Sequence, residues 1–258
     1  MAIIKKFRIK SFKEQDVLLE IENISMSYDK RQILNNISLK VNRSEVMGLL
    51  GPNGVGKSTI FKIIMGIEQP KNGKIRLNGT DCTKLPIHER SNKFNLSYCP
   101  QYGGYFYDLT VLENLKAVAE IHIKEKNLRN SKIDKIIAQF GFDTILNVKA
   151  KHVSGGERRK LAIGMAIIND PKILLLDEPY AALDILSIKM IQEIIVNLQS
   201  IEKMSIMVCD HNARDLLSCV DRAVVISNGK IIVSGSPTEI VNDKNAKISY
   251  FGSEFRLI

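Results

Sequence analysis

Apolar residues change period several times along this chain, and each change marks an element. Over residues 18–41 they alternate with polar ones, in "LLEIENISMSY" and "QILNNISLKV". That pattern predicts two half-buried strands joined by a polar turn at 29–31. "VMGLL", "KILLLDEP" and "SIMVCDH" are short apolar runs without alternation. They predict strands covered on both faces. "GKIRLNG" predicts a strand that ends in the Asn78-Gly79 turn, and "RAVVISNGKIIVSG" a pair of strands around Asn228-Gly229. Helical spacing runs over 58–65, 110–145, 155–168 and 187–198. Strands alternating with helices predict an α/β fold with a mostly parallel sheet core. The early antiparallel pairs and the helix-rich stretch at about 102–156 fall outside that alternation. They predict an antiparallel β-layer and an inserted helical subdomain. No repeat of 20–50 residues runs through the chain.

Composition narrows the class. The chain has 258 residues, 45% hydrophobic and 25% charged, which excludes disorder. No apolar run reaches the ~18 residues of a membrane helix, and residues 1–13 lack the apolar core of a secretory signal. The expected compartment is the cytosol. There the four cysteines, with no CxxC among them, are expected to be reduced and unpaired. The net charge of +9 is concentrated in 1–13, with five Lys or Arg and no acid, and in 122–151, with seven against three acids. Either segment suits a solvated face, anionic lipid headgroups or nucleic acid. The organisation read from these patterns is a basic N-terminal extension at 1–16, one domain at 17–240, and a tail at 241–258.

Three short motifs carry chemistry. Gly51-Pro52-Asn53-Gly54-Val55-Gly56-Lys57-Ser58-Thr59 follows a buried strand and opens a helix. That context makes G-x-x-x-x-G-K-[ST] a phosphate loop. Its glycines let backbone N–H groups approach phosphate oxygens, Lys57 reaches the β- and γ-phosphates, and the Ser58 hydroxyl suits the Mg²⁺ shell. The strand at 173–176 delivers Asp177 and Glu178 at its end, where open α/β sheets place ligands. Asp177 suits Mg²⁺ and Glu178 can polarise an attacking water. Ser154-Gly155-Gly156-Glu157 reads as a capping box, with Ser154 as N-cap and Glu157 at N3. It also reads as a second anion site at a helix start.

"GPNGVGKST", "VSGGE" and "LLLDEP", in that order, resemble the nucleotide-binding subunits of ABC transporters. The first glycine lies 103 residues before Ser154, and Ser154 lies 23 before Asp177. The resemblance implies a P-loop NTPase of ABC type that binds ATP and Mg²⁺ and hydrolyses ATP to drive transport. It implies that Tyr28 stacks on adenine and that Gln101 contacts Mg²⁺ and the attacking water. It also implies that Asp184 belongs to the loop after the acidic strand, and that His211 contacts the γ-phosphate. The implied partners are a second copy of the chain, with ATP between the two, and two integral membrane proteins on the cytoplasmic face of the inner membrane. The cargo is expected not to touch this subunit. One phosphate loop and no sustained heptads set the chain apart from relatives acting on ribosomes or chromosomes, so no nucleic acid partner is expected. "DHNARDLL", "GSPTEIVND" and the ending "YFGSEFRLI" are similar to the lipopolysaccharide-export branch of the family. Branched-chain amino-acid importers are the alternative.

Two aromatic segments remain. Tyr105-Phe106-Tyr107 after Gly103-Gly104 suit packing inside the helical subdomain; the family resemblance implies instead that they line a groove receiving a helix of a membrane partner, with Phe106 as the main contact. Tyr250, Phe251, Phe255, Leu257 and Ile258 predict a tail that folds back on its own domain or packs on a second copy.

Overall fold

The computed structural model describes residues 16–252 and Phe255. The basic extension, Asp16 apart, and Leu257 and Ile258 of the tail lie outside the described residues.

β1 (Val17–Tyr28) and β2 (Arg31–Asn42) form an antiparallel hairpin. β4 (Asn72–Leu77) pairs with the other side of β1, and β5 (Thr80–Asp81) completes a four-stranded layer in the order β2-β1-β4-β5. The turn between β4 and β5 puts Asn78 at φ 51° and Gly79 at φ 75°, the hairpin geometry the Asn-Gly pair predicts.

The second sheet holds β3 (Val46–Leu50), β6 (Leu96–Cys99), β7 (Ile173–Asp177), β8 (Ser205–Cys209), β9 (Arg222–Ser227) and β10 (Lys230–Gly235). Its order is β10-β9-β3-β8-β7-β6, and every pairing is parallel except that of the edge strand β10. β3, β7 and β8 are buried along their whole length, which explains their unbroken apolar runs. Their residues divide by period two between two cores. Val46, Leu174 and Ile206 face one; Met47, Leu175 and Met207 face the other.

The second of these cores is closed by the antiparallel layer and α1 (Lys57–Met65). The first is closed by α3 (Val111–His122), α4 (Lys126–Phe140), α5 (Gly155–Ala166) and α6 (Ile185–Ser200). α2 (Ile87–Phe94) lies beside α1 and β6. α7 (Ala213–Leu217) and α8 (Pro237–Asn242) follow. The short α9 (Lys244–Ala246) runs into a π-helical turn, Lys247–Phe251.

Two expectations change. The helical run at 110–145 is two helices, because Glu125 accepts from the N–H groups of Asn127 at 2.8 Å and Leu128 at 2.7 Å and starts α4 afresh. α4 then stops at Gly141, φ 65°. α2 and β6 go unread from the pattern. α2 is mostly polar, yet its Arg90 is fully buried. The guanidinium donates to the carbonyls of Ile63 at 2.7 Å, Ile64 at 2.8 Å, Thr83 at 2.6 Å and Leu85 at 2.8 Å. The first two belong to the C-terminal end of α1, whose last carbonyls have no partner within the helix. All four cysteines are free and buried. Among the described residues no helix is long and apolar enough to cross a membrane.

Candidate active site

The phosphate loop begins where β3 ends. A Cβ on Gly51, at φ 153°, would lie 2.4 Å from the Ile226 carbonyl oxygen, and one on Gly56, at φ 107°, would lie 2.6 Å from Leu34. Both positions therefore exclude side chains. Pro52, Asn53 and Gly54 form the exposed tip. Lys57, buried, donates to the carbonyls of Gly51 at 2.8 Å and Pro52 at 3.1 Å, so its ammonium lies within the curl of the loop. Ser58 Oγ donates to Asp177 Oδ1 at 3.0 Å. The neighbouring Thr59 hydroxyl lies close to the Tyr28 phenol. The phenol of Tyr28, half exposed at the end of β1, donates to the Glu68 carboxylate.

Asp177 is the buried last residue of β7. Besides Ser58 it accepts from the Tyr98 hydroxyl at 2.9 Å and the Cys209 thiol at 2.8 Å. Burial, with the Asp177 charge beside it, pushes the Tyr98 phenol well up, and the same causes raise the Cys209 thiol. Both groups thus stay protonated and serve as donors.

Glu178 is the first residue past the strand and sits at φ 45°, a conformation rare for glutamate. Its N–H donates to the Cys209 carbonyl at 2.8 Å, which fixes the bend. Its carboxylate Oε2 accepts from Gln101 Nε2 at 2.7 Å and stands 3.4 Å from His211 Nδ1. Gln101, Glu178 and His211 lie just past the carboxyl ends of β6, β7 and β8, three adjacent strands. The sheet order thus brings together residues up to 110 positions apart in sequence. Arg159 of α5 donates to the carbonyls of Pro100 at 2.9 Å and Gln101 at 2.5 Å, and so holds the glutamine's backbone. Asp210 is fully buried and accepts from the N–H groups of Tyr180 at 3.1 Å and Asn212 at 2.9 Å. Burial raises its carboxyl.

The Ser-Gly-Gly-Glu turn forms the capping box the sequence predicts. Ser154 N–H donates to Glu157 Oε2 at 2.8 Å and Glu157 N–H to Ser154 Oγ at 3.2 Å. A Cβ on Gly156 would meet Ser187 Oγ at 2.5 Å, so this glycine lets the start of α5 close on the start of α6. Asp184 caps α6, accepting from the N–H groups of Leu186 at 2.9 Å and Ser187 at 3.0 Å and from the Ser187 hydroxyl at 2.6 Å. These bonds, the hydroxyl's first, hold its carboxyl below the usual range. Gly155 and Leu183 share a cavity of about 270 Å³ with Gln101, Tyr105 and Arg158. Among the described residues no hydrogen bond joins Ser154–Glu157 to the phosphate loop. Within one chain, then, Lys57, Ser58, Asp177, Glu178, Gln101 and His211 form one cluster, and the capping-box turn pairs with Asp184's loop.

Sequence reasoning misses Tyr98, Arg159, Cys209 and Asp210. The only signal is adjacency: Tyr98 lies three residues before Gln101, and Cys209-Asp210 directly precede His211.

Comparison with known proteins agrees with this geometry. A family model described as ABC transporter matches residues 34–181. The lipopolysaccharide export system ATP-binding protein LptB of Haemophilus influenzae is 39% identical over 244 residues, covering 93% of this chain and 99% of that protein. LptB of Escherichia coli (strain K12) is 36% identical over 240 residues, with 93% and 99% covered. Among solved structures, the ADP conformation of MJ1267, an ATP-binding cassette of an ABC transporter, superposes with a TM-score of 0.81 at 25% identity, covering 92% of this chain and 99% of that one. A phosphate loop and an acidic strand end meeting at one sheet edge, in a chain matched across more than half its length, give one assignment: the chain belongs to the ABC transporter family, as an ATP-binding and ATP-hydrolysing subunit.

Proposed function

We propose that this subunit powers the export of lipopolysaccharide, working as a pair of identical chains beneath two integral membrane proteins. The observation that carries the reading is the likeness to LptB over nearly the full length of both chains. The cargo passes through the membrane partners and does not touch this chain, which sits on the cytoplasmic face.

The chemistry follows from the cluster. Lys57 and the loop's backbone N–H groups bind and orient the phosphates of ATP, and Tyr28 stacks on the adenine. Ser58 and Asp177 present hard oxygen donors 3.0 Å apart, and such a set, with a single carboxylate, would fit Mg²⁺ beside the phosphates. Tyr98 and Cys209 fix the Asp177 carboxylate for that role, and Gln101 completes the set. When bound, Mg²⁺ neutralises charge on the β- and γ-phosphates. Glu178 orients the attacking water and takes its proton, Gln101 holds that carboxylate, and His211 reaches toward the γ-phosphate. The signature turn of one chain, Ser154 to Glu157, meets the phosphate loop of the other.

The backbone of Phe106 is gripped by the buried Asn114, which accepts its N–H at 2.6 Å and donates to its carbonyl at 3.0 Å. Its ring is half exposed. A fixed, uncovered aromatic suits the docking of a membrane partner. Solubilising the membranes in detergent and purifying this chain should recover two integral membrane polypeptides of a lipid exporter. Phe106→Ala should reduce that recovery and leave ATP affinity unchanged. Recovery of amino-acid permease subunits, or of no membrane protein, would overturn the export reading.

A further inference from the structure

The sequence gives the tail no group for phosphate chemistry, yet the fold carries one tyrosine to the catalytic edge. Tyr250 lies in the π-helical turn after α9, and its hydroxyl donates to the His211 carbonyl at 2.9 Å. The same hydroxyl lies near the backbone of Gly51, first glycine of the phosphate loop. One phenol thus bonds to the histidine's backbone beside the loop.

The tail is held firmly enough to hold something else. Ser236 and Glu239 close a capping box on α8, and Asp243 caps α9 through the Ala246 N–H at 2.8 Å. Phe251 packs against Tyr250 at 5.0 Å between ring centres and stacks on Phe255 at 4.4 Å and 17°. All three rings rest on the core on the helical side of the sheet. The Arg214 guanidinium lies 6.0 Å over the Phe255 ring. Arg214 is three residues past His211, so the tail grips this segment at two points. The His211 side chain is about half exposed, at 49%, and little packing fixes its ring. Its place relative to Glu178 is set by its backbone, and the hydroxyl of Tyr250 bonds to that backbone. Burial raises the phenol to about 12, so it remains a donor across the working range of pH.

We propose that Tyr250 is a positioning residue for ATP hydrolysis: its hydroxyl, bonded to the His211 carbonyl, sets the reach of the His211 imidazole toward Glu178 and the phosphate loop. This rests on the reading of His211 as a participant in hydrolysis.

The test uses the full-length chain, with turnover measured against ATP concentration and thermal unfolding measured alongside. Tyr250→Phe removes only the hydroxyl. Loss of one hydrogen bond's positioning should lower kcat by about three- to tenfold, with KM for ATP within about twofold and the unfolding midpoint near wild type. In the His211→Ala background the same change should cost nothing further, because Tyr250 acts through His211. Wild-type kcat in Tyr250→Phe would overturn the proposal. So would a loss of equal size in both backgrounds, or one that tracks the unfolding midpoint and assigns the tyrosine to stability. His211→Ala alone is a separate arm: if it keeps wild-type turnover, the reading of His211 fails, whatever Tyr250 does.

Discussion

Glu178 is held by its backbone and by its neighbours at once. Its φ of 45° turns the side chain off the end of β7, and Gln101 at 2.7 Å and His211 at 3.4 Å share its Oε2. Glu178→Gln keeps the size and shape and removes the charge. ATP binding should survive, while turnover should fall by about 10²-fold or more, the scale of general-base catalysis. Equilibrium nucleotide binding and steady-state hydrolysis, measured on one preparation, decide it; near-normal turnover would remove Glu178 as the base. Asp177, one residue earlier, is buried and takes three donors, whereas Glu178 is partly open. Adjacent carboxylates thus receive different environments because one lies inside the sheet and the next lies past its edge.

At the level of elements, the least legible feature is among the most consequential. Arg90 reads in sequence as a surface cation on a polar segment, and in the fold it is a fully buried cap on the end of the phosphate-loop helix. Arg90→Met keeps much of the bulk and takes the guanidinium donors from four carbonyls, of which Ile63 retains the Gly66 N–H. Denaturant unfolding should show a loss of at least about 3 kcal/mol; an unchanged midpoint would refute the capping role. β3, β7 and β8 were readable because burial on both faces leaves an unbroken apolar run, and the phosphate loop because its glycines answer a local backbone need. β6 was not, since four residues with Tyr98 among them make too short a signal. The break between α3 and α4 was hidden because isoleucines and lysines continue through 121–126. Glu178 was legible from its place at the end of an apolar strand, and Gln101 and His211 only through motif resemblance. Their meeting depends on the strand order β8-β7-β6, which no local pattern encodes.

Across the whole molecule, the capping-box turn and the phosphate loop stand apart within one chain, although both suit phosphate. If ATP joins the two in different chains, hydrolysis per chain should rise with protein concentration and then level off. A dilution series of purified chain, each sample assayed at saturating ATP, measures this; constant turnover by a proven monomer would rule it out. The sheet also sets a timetable. β3 lies between β8 and β9, with Val46 opposite Ile206 and Leu50 opposite Val225. The nucleotide loop is fully spelled out by Thr59, but both neighbours of its strand, and the Ile226 carbonyl against which Gly51 rests, emerge from the ribosome much later. At ~5–20 residues per second that delay is on the order of ten to thirty seconds. Through it the nascent chain carries a bare apolar strand with no ladder partners, which is the exposure that recruits chaperones. The complete nucleotide site is thus expected to assemble only after β8 and β9 have been made.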